Sequence, residues 1–570
     1  MRVLLNGNFY TLNKQQPWAQ AVVIDGKKIA YVGTNEGARK FIRSGVEVSD
    51  LNNKFATPGF IDGHMHFFAE VVCRAFSFNR TPECVAGNLA VIKHYVASHK
   101  QNSSVLGIEW SSLKPTCWTV PEYIDHGLTR HFLDEICSDK PVVILLANGH
   151  EGVCNSLALN VAGVTRTTQD IDTEGNEYFQ RDAFGEPTGY FVGMHTISLL
   201  LDSFDYLNCE SLYKNANDFA RKCSEAGLTS AVDCGNFYFA KGLMSKHIIK
   251  RLITSNWPLR LFACGFQAEQ GGVGTEAACF QYKKQKGNFS FSGALEVALK
   301  ESSRLSKIYN LDVFTCNFMK VIYDGKKERC AKISYVAVDD ARKQPLISVR
   351  DLSQLGYLCA KEGININIHI SYSDATHNVL EAAKRLRERG YDDLRITISH
   401  STFVSPEDIE LFAKYNVLAN STGSFIPRTP TKEGIKEAKQ ITGALSYPLK
   451  SIADSGGKVG IGSDCPYIPG HFNPLYEIEQ VITRQVVDSV DGYANNASEG
   501  LSVEQAIEAY TINNAYQVHM EDKIGSLEVG KYADITIFDK NLFEVDKHEI
   551  HNVQVEETIM NGRTYYKNKK

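Results

Sequence analysis

Apolar and polar positions in the middle of the chain follow two alternating rhythms. Ile364-Asn365-Ile366-Asn367-Ile368-His369-Ile370 alternates strictly, the period of a strand with one apolar face. Its isoleucines are expected to pack outward against helices. Asn365, Asn367 and His369 then face a barrel interior, with His369 near the C-terminal end, where barrel enzymes carry their chemistry. Ahead of this strand, Leu352, Leu355, Leu358 and Cys359 recur at helical spacing behind Ser348-Val349-Arg350-Asp351, a capping-box spacing. Behind it, Val379, Leu380, Ala383 and Leu386 predict a second helix, and residues 394–399 a strand running up to His400. By parity His400 shares the face of Ile396 and Ile398, so the strand either bulges or has ended there. Ser405-Pro406-Glu407-Asp408 predicts the next helix start, with a Ser cap and Pro in the first turn. Lys458-Val459-Gly460-Ile461-Gly462-Ser463-Asp464 reads as a short buried strand delivering Asp464. Thr229-Ser230-Ala231-Val232-Asp233 and Asn317-Phe318-Met319-Lys320-Val321-Ile322 are two earlier strand candidates. Strands alternating with amphipathic helices argue for parallel βα units closed into a (β/α)8 TIM-like barrel of the α/β class.

The two ends of the chain read differently. Ala21-Val22-Val23-Ile24 and Ile29-Ala30-Tyr31-Val32 flank Asp25-Gly26, a hairpin signal. The turn-rich, β-branched stretch from Ile524 through Phe538, closing with Glu557-Thr558-Ile559-Met560-Asn561-Gly562, is of the same kind. Neither end is large enough for its own core. Residues 1–57 and 525–570 are therefore expected to join in one small β-sandwich. That leaves 58–70 and 200–524 for the barrel, and 71–199 as an inserted α/β subdomain with Trp110 and Trp118 as aromatic anchors.

Bulk properties narrow the function classes. At 570 residues the chain calls for two or three domains. A hydrophobic fraction of 43% and a charged fraction of 22% are those of a soluble globular protein. A formal net charge of −5 gives no reason to expect nucleic acid or an anionic membrane as partner. Apolar runs are strand-sized, and no secretory leader is read at the start, which points to the cytoplasm. The 14 cysteines are scattered without a Cys-x-x-Cys pair, so free buried thiols are expected.

Candidate chemistry begins at Pro58-Gly59-Phe60-Ile61-Asp62-Gly63-His64-Met65-His66. Two histidines one residue apart on an extended chain point to the same side and can grip one metal ion. The pair alone is a weak signal. Lys320, His369, His400 and Asp464 add to it, because each falls at the C-terminal end of a predicted strand. Taken singly, each has an ordinary structural reading: His369 as a hydrogen-bonded core histidine, Asp464 as a helix cap before Pro466, Lys320 as a snorkelling strand end.

The chain resembles the amidohydrolase superfamily, in the subgroup that includes N-substituted formamide deformylases. The matching text runs nearly end to end: residues 58–66, Asn148-Gly149-His150 with Asn155-Ser156, and Gly185-Glu186-Pro187-Thr188-Gly189. It continues with Lys320 before Asp324-Gly325, His369 before Asp374-Ala375, His400, Gly462-Ser463-Asp464-Cys465-Pro466, and Gly525 through Asp534. The resemblance implies that His64 and His66, with Asp464, hold one divalent metal, zinc by expectation, and that His369 and His400 hold a second. Lys320 resembles the lysine that such enzymes carboxylate to bridge both ions. Two positions depart from the family pattern. Gly193 stands where an acid is usual, and the spacing from His369 to Asp374 is one residue longer.

These expectations add up to a metal-dependent amidohydrolase that cuts a non-peptide C–N bond of a small amide-like molecule. A divalent ion lowers the pKa of bound water from about 15.7 to roughly 7. Asp464 is the expected proton carrier, and His150 the group steadying the substrate carbonyl or its oxyanion. Trp110, Trp118, Tyr323 and Asp324 are pocket candidates, and the family suggests a homodimer. Two other readings stand beside this one: a mononuclear heterocycle deaminase, and a catalytically silent barrel acting as a binding protein. Deamination wants an acid close behind His369, and Ile370-Ser371-Tyr372-Ser373 offers none before Asp374.

Overall fold

The structure is a computed structural model. It describes residues 1–79, 85–110, 126–146, 151–169, 178–201, 203–204, 210–235, 257–269, 272–273, 312–322, 348–370, 373–428, 443–466, 471–489 and 492–569, with a few isolated positions between. The alternating rhythm of the central chain becomes eight parallel strands in one sheet. They are β1 (Phe60–Met65), β2 (Leu228–Asp233), β3 (Arg260–Glu269), β4 (Phe314–Ile322), β5 (Asn365–Ile370), β6 (Ile396–His400), β7 (Val417–Thr422) and β8 (Lys458–Gly462). Neighbours in sequence are neighbours in the sheet from β1 through β8, so the sheet curls almost to closure with helices outside. This is an α/β TIM-like barrel.

β5 shows how the sequence makes the element. Ile366, Ile368 and Ile370 are buried in the shell between strand and helix, and burial of each stabilises by roughly 1.5–3 kcal/mol. The helix before it, Val349–Glu362, starts where the Ser348 side chain accepts the backbone N–H of Asp351. It ends at Gly363, whose φ of 67° is left-handed and suits glycine. The helix after it is Ser373–Arg387. Register then sets depth: Lys320 on β4 lies level with Asn367, and Ile370 on β5 level with His400. The helix expected at Ser405 begins instead as a 3-10 turn, Pro406–Asp408, followed by a helix at Ile409–Lys414. Ser405 makes no capping hydrogen bond there, and Asp408 is engaged by His377 Nδ1 at 2.8 Å.

Both chain ends lie in two smaller sheets. One orders Lys28–Gly33, Ala21–Asp25, Arg2–Leu5 and Glu47–Asp50. The other orders Arg563–Lys567, Val555–Met560, Ile535–Phe538, Phe55–Pro58, Asn8–Tyr10 and Trp18–Ala19. Pro58 belongs to this second sheet, paired with Ile535, and β1 starts only at Phe60. The Gly59 between them permits the close approach to β2: a Cβ there would lie 2.3 Å from the Thr229 side chain. A buried ion pair ties barrel to sheet. Arg260 Nη1 donates to Asp534 Oδ2 at 2.6 Å and to Ser230 Oγ at 2.9 Å, and Nη2 to Asn561 Oδ1 at 2.7 Å. A third sheet orders Tyr178–Arg181, Pro187–Val192, Glu151–Cys154, Val142–Leu145, Val105–Trp110 and Ser77–Asn79. The described cysteines are free and buried. Among the described residues no helix is long and apolar enough to cross a membrane.

The seam between β1 and β8 is not closed by a backbone ladder. Side chains and loop amides close it. Asn514, on the helix Ile512–Gln517, donates from Nδ2 to the carbonyls of Ile61 on β1 (2.7 Å) and Ile461 on β8 (2.8 Å). Gln517 Nε2 donates to Gly63 O at 3.1 Å. Gly63 and Gly460 make room for Asn514: a Cβ on either would fall 2.3 Å or 2.4 Å from its Oδ1. Asn514→Leu keeps the volume but strands both carbonyls, at about 1–3 kcal/mol each. The expected outcome is a lower denaturation midpoint with an unchanged slope, read by urea titration of the full chain. A wild-type midpoint would show that the bridge does not hold the seam.

Candidate metal centre

Strand ends on the C-terminal rim deliver the site. His64 is on β1 and His66 one residue past its end; Lys320 is on β4, His369 on β5, His400 at the end of β6, and Asp464 two residues beyond β8. All but His369, which is partly exposed, are buried. Asp464 Oδ1 lies 3.1 Å from His66 Nε2 and 3.4 Å from His64 Nε2. The ligand atoms of His64, His400 and Asp464 lie within 4.8 Å of one another. The His400 ring centre is 4.5 Å from that of His369 and 5.0 Å from that of His64. Lys320 Nζ stands 3.4 Å from His64 Nε2, held by Asn367 Oδ1 at 2.9 Å and Ser399 Oγ at 3.2 Å. His64, His66, Lys320, His369, His400 and Asp464 thus stand near one another at the barrel mouth.

The parity conflict at His400 resolves through the backbone. His400 has φ 76° and Ser401 φ 43°, both left-handed, so the chain turns as the strand ends and carries the imidazole toward the mouth. Asp464, with φ 52°, turns in the same way. Conformations of this kind in non-glycine residues collect at functional sites.

A second layer of polar groups fixes these side chains. Gly235 O faces His66 Nδ1 at 2.8 Å. A carbonyl only accepts, so that nitrogen carries the proton and Nε2 presents its lone pair to the site. Buried Asp233 accepts the N–H groups of Phe68 and Gly235, which sets the loop bearing that carbonyl. Burial raises its carboxyl to about 6. Asp62 accepts the N–H of His64 (3.0 Å) and of Ser463 (3.1 Å), so one carboxylate links the loops that carry two site residues; burial raises it to about 7. Asp464 N donates to His64 O at 2.6 Å and His66 N to Cys465 O at 2.7 Å, completing the seam at the site itself. A Cβ on Gly462 would sit 2.3 Å from His64 N, so this approach needs glycine.

Electrostatics prepare the donors for a cation. Burial first, and the Lys320 charge second, hold His64 well below its usual range. Burial likewise lowers His369 to about 3 and takes His400 well down. Burial also lowers the Lys320 amine, favouring its neutral form. Neutral imidazoles are the ligand form. His66 Nε2 and His64 Nε2 both face Asp464 Oδ1, the ligand atoms of His64, His400 and Asp464 gather together, and buried His64 Nδ1 has no hydrogen-bond partner among the described residues. Nitrogen and carboxylate donors so disposed fit a divalent cation.

Asp62, Asp233, Ser399 and Asn514 serve the site but were not singled out for it from sequence. Asn367 was placed on the inner face, which is the signal that leads to Lys320. His150, Trp118, Tyr323 and Asp324 lie outside the described residues. Trp110 ends the outer-sheet strand Val105–Trp110, paired there with Asn79, and its side chain lies outside the described residues.

Comparison with known proteins places the chain among its relatives. The chain is 25% identical over 580 residues to the putative amidohydrolase YtcJ of Bacillus subtilis strain 168, covering 99% of each. It is 24% identical over 586 residues to an N-substituted formamide deformylase of Arthrobacter pascens, covering 99% of this chain and 98% of that one. Its fold matches the crystal structure of an uncharacterized metal-dependent hydrolase from Pyrococcus horikoshii OT3, with a TM-score of 0.67 at 18% identity, covering 96% and 99% of the two chains. The model of the amidohydrolase family matches residues 47–566. The chain therefore belongs to the amidohydrolase family.

Proposed function

We propose that this chain is a metal-dependent hydrolase cutting a non-peptide C–N bond, of amide or formamide type, in a small molecule. The observation that carries the reading is the convergence of His64, His66 and Asp464 with His400 at the barrel mouth. Family membership implies a divalent metal. His64, His66 and Asp464 would hold one ion and His369 and His400 a second, with a carboxylated Lys320 between. The nearby formamide deformylase supports the bond type.

A divalent cation supplies electrophilic polarisation of a carbonyl and acidifies water when bound. The protein's own groups do the rest. Carboxylation of Lys320 joins the neutral amine to carbon dioxide through a new N–C bond and releases one proton; burial of the amine and the hold of Asn367 and Ser399 favour it. Asp464 accepts a proton from the attacking water on its carboxylate and returns it to the leaving nitrogen. Gly235 and Asp62 keep His66 and His64 aimed while this happens. We also propose zinc as the metal, a homodimer as the assembly and the cytoplasm as the location.

Two measurements test this. Asp464→Asn is expected to lower kcat on a formamide by about 10²–10⁴-fold, as for loss of an acid–base group; wild-type turnover would remove the proton carrier. Exhaustive chelation is expected to abolish activity and lower Tm, with both restored by adding Zn2+, because binding to the folded state stabilises it. Full activity in protein shown by elemental analysis to be metal-free would refute the reading.

A further inference from the structure

Lys320 is buried and, among the described residues, is bonded only to neutral groups. Lys54, Lys450 and Lys531 each pair with a carboxylate. Around Lys320 Nζ stand instead Asn367 Oδ1 at 2.9 Å, Ser399 Oγ at 3.2 Å and, more distant, His64 Nε2 at 3.4 Å. A lysine buried for structure alone is normally paired with an acid. The Ser399 hydroxyl donates to the same Asn367 oxygen at 2.5 Å, which leaves its own oxygen to accept from the lysine. A neutral amine has two N–H bonds, and these two acceptors match them.

The same partners, as they stand, do not suit a carboxylated lysine. Joining Nζ to carbon dioxide forms one N–C bond, moves one C–O electron pair onto oxygen and releases one N–H proton to water. One N–H remains, and two oxygens sharing a negative charge now need donors. Asn367 and Ser399 offer acceptors. Ser399 need only rotate its hydroxyl. The amide of Asn367 must turn over to bring Nδ2 forward, which carries Oδ1 to the back.

The group behind the amide permits that turn. Asn367 Nδ2 donates to Cys234 Sγ at 3.6 Å. Cys234 is fully buried and is fixed where its N–H donates to Met65 O at 2.7 Å. Burial raises its thiol well above the usual range and keeps it protonated. A thiol both accepts and donates weakly, so it meets either end of an amide. A hydrocarbon in its place would strand one end of the amide in either orientation.

We infer that Asn367 is the positioning residue that selects the chemical state of Lys320. Its amide presents oxygen to the free amine and turns over to present nitrogen to the carbamate, with Cys234 meeting whichever end faces away. This inference rests on the hydrolase reading above, in which Lys320 is carboxylated, and the test separates the two.

Full-length protein is loaded with Zn2+ and 13C-labelled bicarbonate. The carbamate carbon is followed by 13C NMR, beside amine release from a formamide. Asn367→Asp keeps the side-chain shape but offers only acceptors. It is expected to need about 10- to 100-fold more bicarbonate than the wild type for the same signal, the scale of one buried hydrogen bond left unmade. A wild-type bicarbonate requirement in Asn367→Asp overturns the inference. Neutron diffraction from deuterated wild-type crystals asks the same question without a substitution. The amide deuterons should face Cys234 without bicarbonate and Lys320 with it, and an amide facing one way in both states overturns the inference. An unmodified Lys320 in wild-type protein that still releases amine overturns the inference and leaves the hydrolase reading standing. An Asn367-dependent carbamate in protein that releases no amine supports the inference and counts against the hydrolase reading.

Discussion

The arrangement depends on how a parallel sheet is brought shut. β1 and β8 carry the residues that must meet, yet no backbone ladder joins them. Asn514 bridges their carbonyls from behind, Asp62 ties the His64 amide to the Ser463 amide, and the Asp464 N–H reaches His64 O. These contacts differ in kind from a strand pairing. They bring two backbones closer than side chains would allow, which is why glycines stand at 63, 460 and 462. Closing the sheet and assembling the metal centre are therefore one structural event. A buried polar bridge of this sort is costly when half made and rigid when complete.

That rigidity has an electrostatic counterpart. Burying imidazoles, an amine and a carboxylate in one place costs stability unless something balances them. Here burial pushes the histidines and the lysine toward neutrality, which lessens the cost and leaves lone pairs facing inward. Family membership implies a divalent metal, and a cation held among these lone pairs would couple metal binding to fold stability.

Much of this was legible in the chain. Strict alternation at residues 364–370 gave both the strand and the inward face of His369, because a half-buried strand has no other economical pattern. His-x-His at 64 and 66 and the strand-end positions of Lys320 and Asp464 were legible for the same reason. What period alone could not give was the outcome at His400. Its placement depends on a left-handed backbone at the strand end, which overrides parity and leaves no mark in composition. Asn514 was illegible for a different reason: an asparagine on a helix reads as ordinary, and its partners lie some 453 and 53 residues away. The helix start at Ser405 shows the opposite failure, where good capping chemistry met a tertiary contact from His377 to Asp408 and gave a 3-10 turn first.

The central claim is that side chains distant in sequence enclose a cation at one end of a closed sheet. Anomalous scattering from crystals of the zinc-loaded protein, collected on both sides of the zinc edge, tests it most directly. The expected result is a peak about 2.0–2.2 Å from His64 and His66 nitrogens and an Asp464 oxygen. Peaks confined to the protein surface, with the space between those side chains free of anomalous signal in catalytically active crystals, would contradict it.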